Sequence, residues 1–144
     1  TWSLYFDGTA HGLGTADTLD IDAFDIDGAT LYFSTLANGR PSGVAGTADD
    51  ADVYSWNGSS FARVFDASVV GVPSTANVDG LTVKAGVYYL SFAGDVTVIR
   101  GLSYEDEDIV AYDPDSDTWR LYFDGTAHGL GTSVRLDVDA MQVP

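Results

Sequence analysis

The sequence predicts an all-β chain of two four-stranded antiparallel repeats, each of about 58 residues, followed by part of a third. Three observations carry this prediction. The segment LYFDGTAHGLGT occurs twice, at residues 4–15 and 121–132. A degenerate copy lies between them, so that 2–15 (WSLYFDGTAHGLGT), 61–74 (FARVFDASVVGVPS) and 119–132 (WRLYFDGTAHGLGT) align. Finally, nothing in the chain has the apolar period of a helix, whereas short alternating runs bounded by turn residues recur throughout.

The elements follow in order within a single module, residues 1–144. Residues 2–7 set Trp2, Leu4 and Phe6 against Ser3, Tyr5 and Asp7, the two-residue period of a half-buried strand. Residues 1–18 therefore read as a fourth-strand element. The first repeat, 19–66, supplies IDAFDI, TLYFST, a long loop, ADVYSW, a tight turn at Asn57-Gly58, and FARVF. The second, 77–124, supplies VDGL, YYLSF, EDIVAY, a turn at Asp113-Pro114, and TWRLYF. Residues 132–144, with LDVDAM, read as the first strand of a third repeat.

Trp2, Phe61 and Trp119 lie 59 and 58 residues apart, and the divergent middle copy implies an A–B–A alternation with a period of 117 residues. The first strand slips phase: Leu19 and Ile21 share one parity, Phe24 and Ile26 the other, and Leu136 and Val138 stand likewise against Met141 and Val143. Such a slip predicts either a β-bulge or a strand that begins only at Asp22 and Asp139.

Composition narrows the function classes. The chain is 45% apolar and 12% aromatic, which suits a folded globule with a core. Its net charge is −16, and every acid except Glu105 and Glu107 is aspartate. Such a surface repels nucleic acid and anionic membranes, and no apolar run approaches the roughly 18 residues of a membrane span. Cysteine is absent, which removes disulfides and thiolate chemistry. With lysine confined to Lys84, this composition predicts a secreted or cell-surface protein.

A 58-residue unit of four short strands resembles a β-propeller blade. The segment VAYDPDSDTWRLYF (110–123) is similar to the tyrosine–aspartate–proline, turn, tryptophan stretch of kelch-type propeller repeats, and VYSWNGSSFARVF (53–65) looks like the same hairpin with a shorter turn. The Gly-Gly doublet of kelch second strands is replaced by LYFST and YYLSF. The resemblance implies blades that need company, because a propeller closes with about four to eight of them. Two repeats with spare terminal strands therefore predict a homo-oligomeric ring, a filament or a tandem array. The alternative is a small pseudo-symmetric sandwich or barrel closed within one chain.

Candidate sites are few. No catalytic signature is present, and a non-enzymatic structural role is expected. His11 and His128 sit in the duplicated TAHGLG turn, where the middle copy has Val70. Ca²⁺ is bound by clustered oxygens in loops, and the acidic clusters are Asp113, Asp115 and Asp117; Glu105, Asp106 and Asp108; Asp49, Asp50 and Asp52; and Asp20, Asp22, Asp25 and Asp27. Asp also favours turns by bonding its own backbone, so each cluster has a structural reading as well. Asp22, Asp79 and Asp139 recur at one place in the three copies, as do Asp7, Asp66 and Asp124. In a ring the first set crowds around the axis, where a cation is favoured. Trp2, Trp56, Phe65, Tyr112, Trp119 and Phe123 are the expected core, with Arg63 paired to a buried Asp or marking a contact between repeats. The rival reading is a carbohydrate-binding module that contacts glycans through Tyr5, Tyr122, His11 and His128.

Overall fold

The computed structural model describes residues 1–94, 97–131 and 137–144, and it arranges the two repeats as two antiparallel four-stranded sheets. The first contains β1 (Ile21–Asp27), β2 (Thr30–Thr35), β3 (Val53–Trp56) and β4 (Phe61–Phe65), neighbours in chain order. A one-turn helix, α1 (Ala67–Val70), leads to the second sheet. That sheet starts with β5 (Asn77–Lys84) and β6 (Val87–Ala93). A small hairpin of β7 (Thr97–Ile99) and β8 (Leu102–Tyr104) fills the following loop, before β9 (Ile109–Asp113) and β10 (Thr118–Phe123) complete the sheet as β5-β6-β9-β10. No closed barrel forms among the described residues.

Local chemistry explains the turns. Asn57 Oδ1 accepts from the N–H groups of Ser59 and Ser60, which folds the chain back between β3 and β4. Asp113 does the same for Asp115 and Ser116 between β9 and β10. The phase slip in the first strand is a bulge: Ile21 faces Thr35 but Phe24 faces Phe33. The same slip recurs in β5, between Val78 opposite Phe92 and Gly80 opposite Ser91. Gly80 is required there by space, because a Cβ would strike Ser91 Oγ and crowd Val138 O. In the third copy the slip involves Leu136, which lies outside the described residues, as do 132–135.

Two cores result, and they are built alike. The larger lies between the sheets, with Phe65 of the first repeat and Val70 and Val72 of the segment after it packed among Tyr88, Leu90, Val110 and Tyr112 of the second. The smaller lies on the far side of the first sheet, where Phe6 and Leu13 pack among Leu31, Phe33, Tyr54, Trp56 and Phe61. Residues 6–13 align with 65–72, so each sheet is covered by the segment that follows an outermost strand position. Burying each large side chain in these layers contributes about 2 kcal/mol.

Three expectations are corrected. Residues 1–7 form no strand, and Trp2 is fully exposed instead of joining the core. Alternation makes a segment fit for a sheet, but a strand also needs a neighbour's N–H and C=O row, and β4 and β10 have one where residues 2–7 do not. Phe65 and Tyr112 are buried as expected, while Trp56, Trp119 and Phe123 are half-buried. The expected absence of helix fails at α1, where the Asp66 side chain accepts from Val69 N and Gly71 ends the turn at φ 89°. Short 3₁₀ turns also form at Asp17–Leu19 and Thr126–His128.

Candidate functional site

The bulge decides where the recurrent first-strand aspartates point their chemistry. At the junction between the repeats, Asn77 Nδ2 donates to Asp22 Oδ2 at 2.8 Å. Ser34 Oγ accepts from Ala23 N at 3.0 Å and donates to Val78 O at 2.8 Å, tying β1, β2 and β5 together. Asp25 Oδ2 accepts from Val83 N at 2.8 Å. Each carboxylate bonded here meets an N–H donor, while Asn77 Oδ1 is buried without a hydrogen-bond partner.

The second junction, between β5 and residues 137–143, repeats the frame with different partners. Ser91 takes the place of Ser34 and donates to Val138 O, and Thr82 takes the place of Asp25 and donates to Met141 O at 2.9 Å. Val138 N bonds Asp106 O just as Val78 N bonds Asp50 O, at 3.3 and 3.4 Å. The departure is at the aspartate. Asp79 stands where Asp22 does, but its opposite number is Asp137 in place of Asn77. Carboxylate oxygens of Asp79, Asp137 and Asp139 lie within 4.8 Å of one another, and Asp137 Oδ1 is buried without a hydrogen-bond partner.

Two effects set the protonation of this group. Asp79 is only 8% exposed, and burial, reinforced by the Asp137 charge against the pull of the Ser91 hydroxyl, pushes its pKa up to about 7. Asp137 is raised as well, by burial and by Asp139. Hydrogen-bond geometry points the same way. Ser91 Oγ lies 2.9 Å from Asp79 Oδ1 and also contacts Val138 O, yet a hydroxyl has one proton to give. A protonated Asp79 resolves this by donating to Ser91, which then donates to Val138. A divalent cation held by the three carboxylates is the other way to offset their repulsion.

Most of the other clustered acids bond a turn or form an ion pair, while Asp50 Oδ1 and Glu107 Oε2 are buried without a hydrogen-bond partner. Asp113 closes its turn, and Asp117 pairs with Arg100 at 2.8 Å and accepts from Tyr112 Oη at 3.0 Å. Neither these two nor Asp115 joins a converging carboxylate group among the described residues. Asp52 accepts from Asp49 N and Ala67 N, and Asp108 accepts from Glu105 N and Gly125 N. Those are equivalent bonds in the two repeats. Asp7, Asp66 and Asp124 each accept from the N–H three residues on, at 2.9, 3.3 and 2.7 Å. Arg63 donates to the buried Asp52 at 2.9 Å, which settles its role as an internal ion pair.

Each histidine stays with its own turn: His11 stacks on Phe6 and lies against Trp56, while His128 stacks on Phe123. Tyr5 is exposed beside Leu4, Phe24 and Ile26. Tyr122 packs edge-on to Tyr89 beneath Arg120. Asp22 lines a cleft of about 400 Å³ with Asp25, Leu81, Asp139 and Met141, so the structure places it near Asp139 but bonds it to Asn77.

Asp137 was the residue that sequence reasoning missed. Its signal is the alignment of Asp20, Asn77 and Asp137, two positions ahead of the recurrent Asp22, Asp79 and Asp139. Neither a protein-family model nor a curated protein matches the chain.

Proposed function

We propose that this chain is a non-enzymatic structural module of the cell exterior that associates with further copies of itself, stacking its repeats side by side as propeller blades stack. One observation carries the reading. The segment that follows an outermost strand position is present three times, and two of the three cover a sheet: 6–13 covers the first and 65–72 covers the second. The third, 123–130, has the same sequence as the first but covers no further sheet among the described residues. Leu13 is 3% exposed in its copy, whereas Leu130 is half-buried. An apolar strip of Leu4, Tyr5, Phe24 and Ile26 is exposed at the opposite end.

The test is solution mass by size-exclusion chromatography with light scattering, in calcium and then in EDTA. Multimers of the 15.2 kDa chain are expected, with dissociation in EDTA assigning a divalent cation to Asp79, Asp137 and Asp139. A monomer in both buffers at all concentrations would overturn the reading.

A further inference from the structure

We infer that residues 121–131 and 137–143 of one copy take the places of residues 4–14 and 20–26 of a second copy, linking chains head to tail. The inference rests on the assembly reading above and names the segments that perform it.

The two capping segments are the same object twice. Residues 121–131 are identical to 4–14, and their turns share one set of backbone bonds, although 121–123 lie in β10 and 4–6 in no strand. His11 N bonds Asp7 O and Gly8 O, and His128 N bonds Asp124 O and Gly125 O. Leu13 N reaches Gly8 O at 2.8 Å, and Leu130 N reaches Gly125 O at 2.9 Å. The histidine stacks on the phenylalanine in both. Residues 4–14 are seated: Leu13 lies among Leu31, Phe33 and Tyr54, and Phe6 and His11 lie against Trp56. A seat that accepts one segment accepts the other, because the side chains presented are the same.

Residues 137–143 extend the argument to the strand that follows. They align with β1 at the 117-residue period, and they lie along β5 through Ser91 and Thr82 as β5 lies along β1 through Ser34 and Asp25. They carry no strand pairing. β1 is the edge strand of its sheet, so its replacement leaves β2, β3 and β4 together. The seat then holds either the chain's own end or the equivalent end of another copy. The capping segment presents the same side chains in both states, whereas Val138, Met141, Gln142 and Val143 replace Ile21, Phe24, Asp25 and Ile26. The balance turns on these exchanges and on what the junction between chains adds, including cover for Tyr122, now 40% exposed.

The chain has no cysteine, which makes cross-linking clean. A Cβ built on Gly12 lies 3.3 Å from Ser42 Cβ, near disulfide spacing. The chain carrying Ser42→Cys and Gly129→Cys links residue 129 to residue 42 of another copy if the exchange occurs. A reducible ladder of dimers and larger species is expected under mild oxidation. The Gly12→Cys/Ser42→Cys chain should close on itself and run as a single chain. A labelled peptide of residues 119–131 gives an independent reading: it should bind the unsubstituted chain and fail to bind the locked one. No cross-linking beyond the single-cysteine controls, or equal peptide binding to both chains, would overturn the inference. If the unsubstituted protein is multimeric yet neither result appears, the exchange is wrong and the assembly reading stands. A monomer without cross-links sinks both.

Discussion

The two repeats share a backbone and differ in how they neutralise the same carboxylates. In the first, Asp22 meets the amide of Asn77 and Asp52 meets the guanidinium of Arg63. In the second, Asp79 meets Asp137 and Asp139, and Asp108 keeps its two backbone N–H bonds, while Leu121, paired with Val110, stands where the first repeat has Arg63 paired with Tyr54. Register, bulges and serine bridges persist through these exchanges. The frame is therefore set by strand pairing and buried apolar surface, and the polar partners tune it. At the first junction the carboxylate meets an amide donor, and at the second three carboxylates converge, a set that a proton or a cation would neutralise.

The largest effect that tests this contrast is at Asp79. Its pKa rises from the ordinary 3.8 to about 7 in the fold, chiefly through burial. The folded protein thus holds a proton that the unfolded chain releases above pH 4. The destabilisation is absent below about pH 4, grows between the two values, and is complete above about pH 7. Its full size is on the order of 4 kcal/mol. Asp79→Asn removes the charge. Urea unfolding in EDTA is expected to show the variant and the parent equal near pH 4, with the variant the more stable by that order at pH 8. A constant difference across the range would mean that Asp79 is ionised throughout. Comparing variant with parent cancels the opposite contributions of Asp113 and Asp117, whose pKa values are lowered by Ser116 and Arg100 respectively.

Next in size is the ion pair of the first repeat. Burial pushes Asp52 above its ordinary range despite the pull of Ala67 N–H and Arg63. Arg63→Ala leaves that carboxylate with its backbone donors and the Tyr54 hydroxyl but no cation, and is expected to cost about 3 kcal/mol at pH 7. Arg63→Leu copies the second repeat and should recover part of that loss through packing. Denaturation midpoints of the two variants decide the matter. A cost under about 0.5 kcal/mol for alanine would mean that Asp52 is held as Asp108 is.

Much of this frame was legible in the sequence because it is written by local rules. Asn57-Gly58 and Asp113-Pro114 announce their hairpins, and the parity change from Ile21 to Phe24 announces the bulge. The four strands of each repeat could be named because alternation and turns bracket them. What was not legible depends on partners. Trp2 and Trp119 sit in TWSLYF and TWRLYF, alike but for Ser3 and Arg120, but only Trp119 lies in a strand with a pairing neighbour, so alternation alone placed Trp2 wrongly in the core. α1 was missed although Asp66 and Gly71 are ordinary cap residues, because four helical residues have no measurable period. The acidic clusters were ambiguous for another reason: a carboxylate that accepts from its own turn and one that faces another carboxylate look the same in sequence. Only the approach of residues 137–139 to β5 across a junction separated Asp79 from Asp113.

The smallest effect is the most pointed. If the amide of Asn77 is what completes the first junction, then Asp137→Asn should complete the second by donating to Asp79 as Asn77 donates to Asp22 at 2.8 Å. One charge-assisted hydrogen bond gained, with one like charge removed, is expected to stabilise the fold by about 1–2 kcal/mol at pH 8. The gain should shrink below pH 6, where Asp79 is protonated already. Asn77→Asp should do the reverse at the first junction, lowering stability by a similar amount at pH 8. Unfolding midpoints at pH 8 and pH 5, in EDTA, check both. If Asp137→Asn leaves the pH 8 midpoint unchanged, the carboxylates are too well solvated to repel one another. The difference between the junctions would then lie in packing rather than in charge.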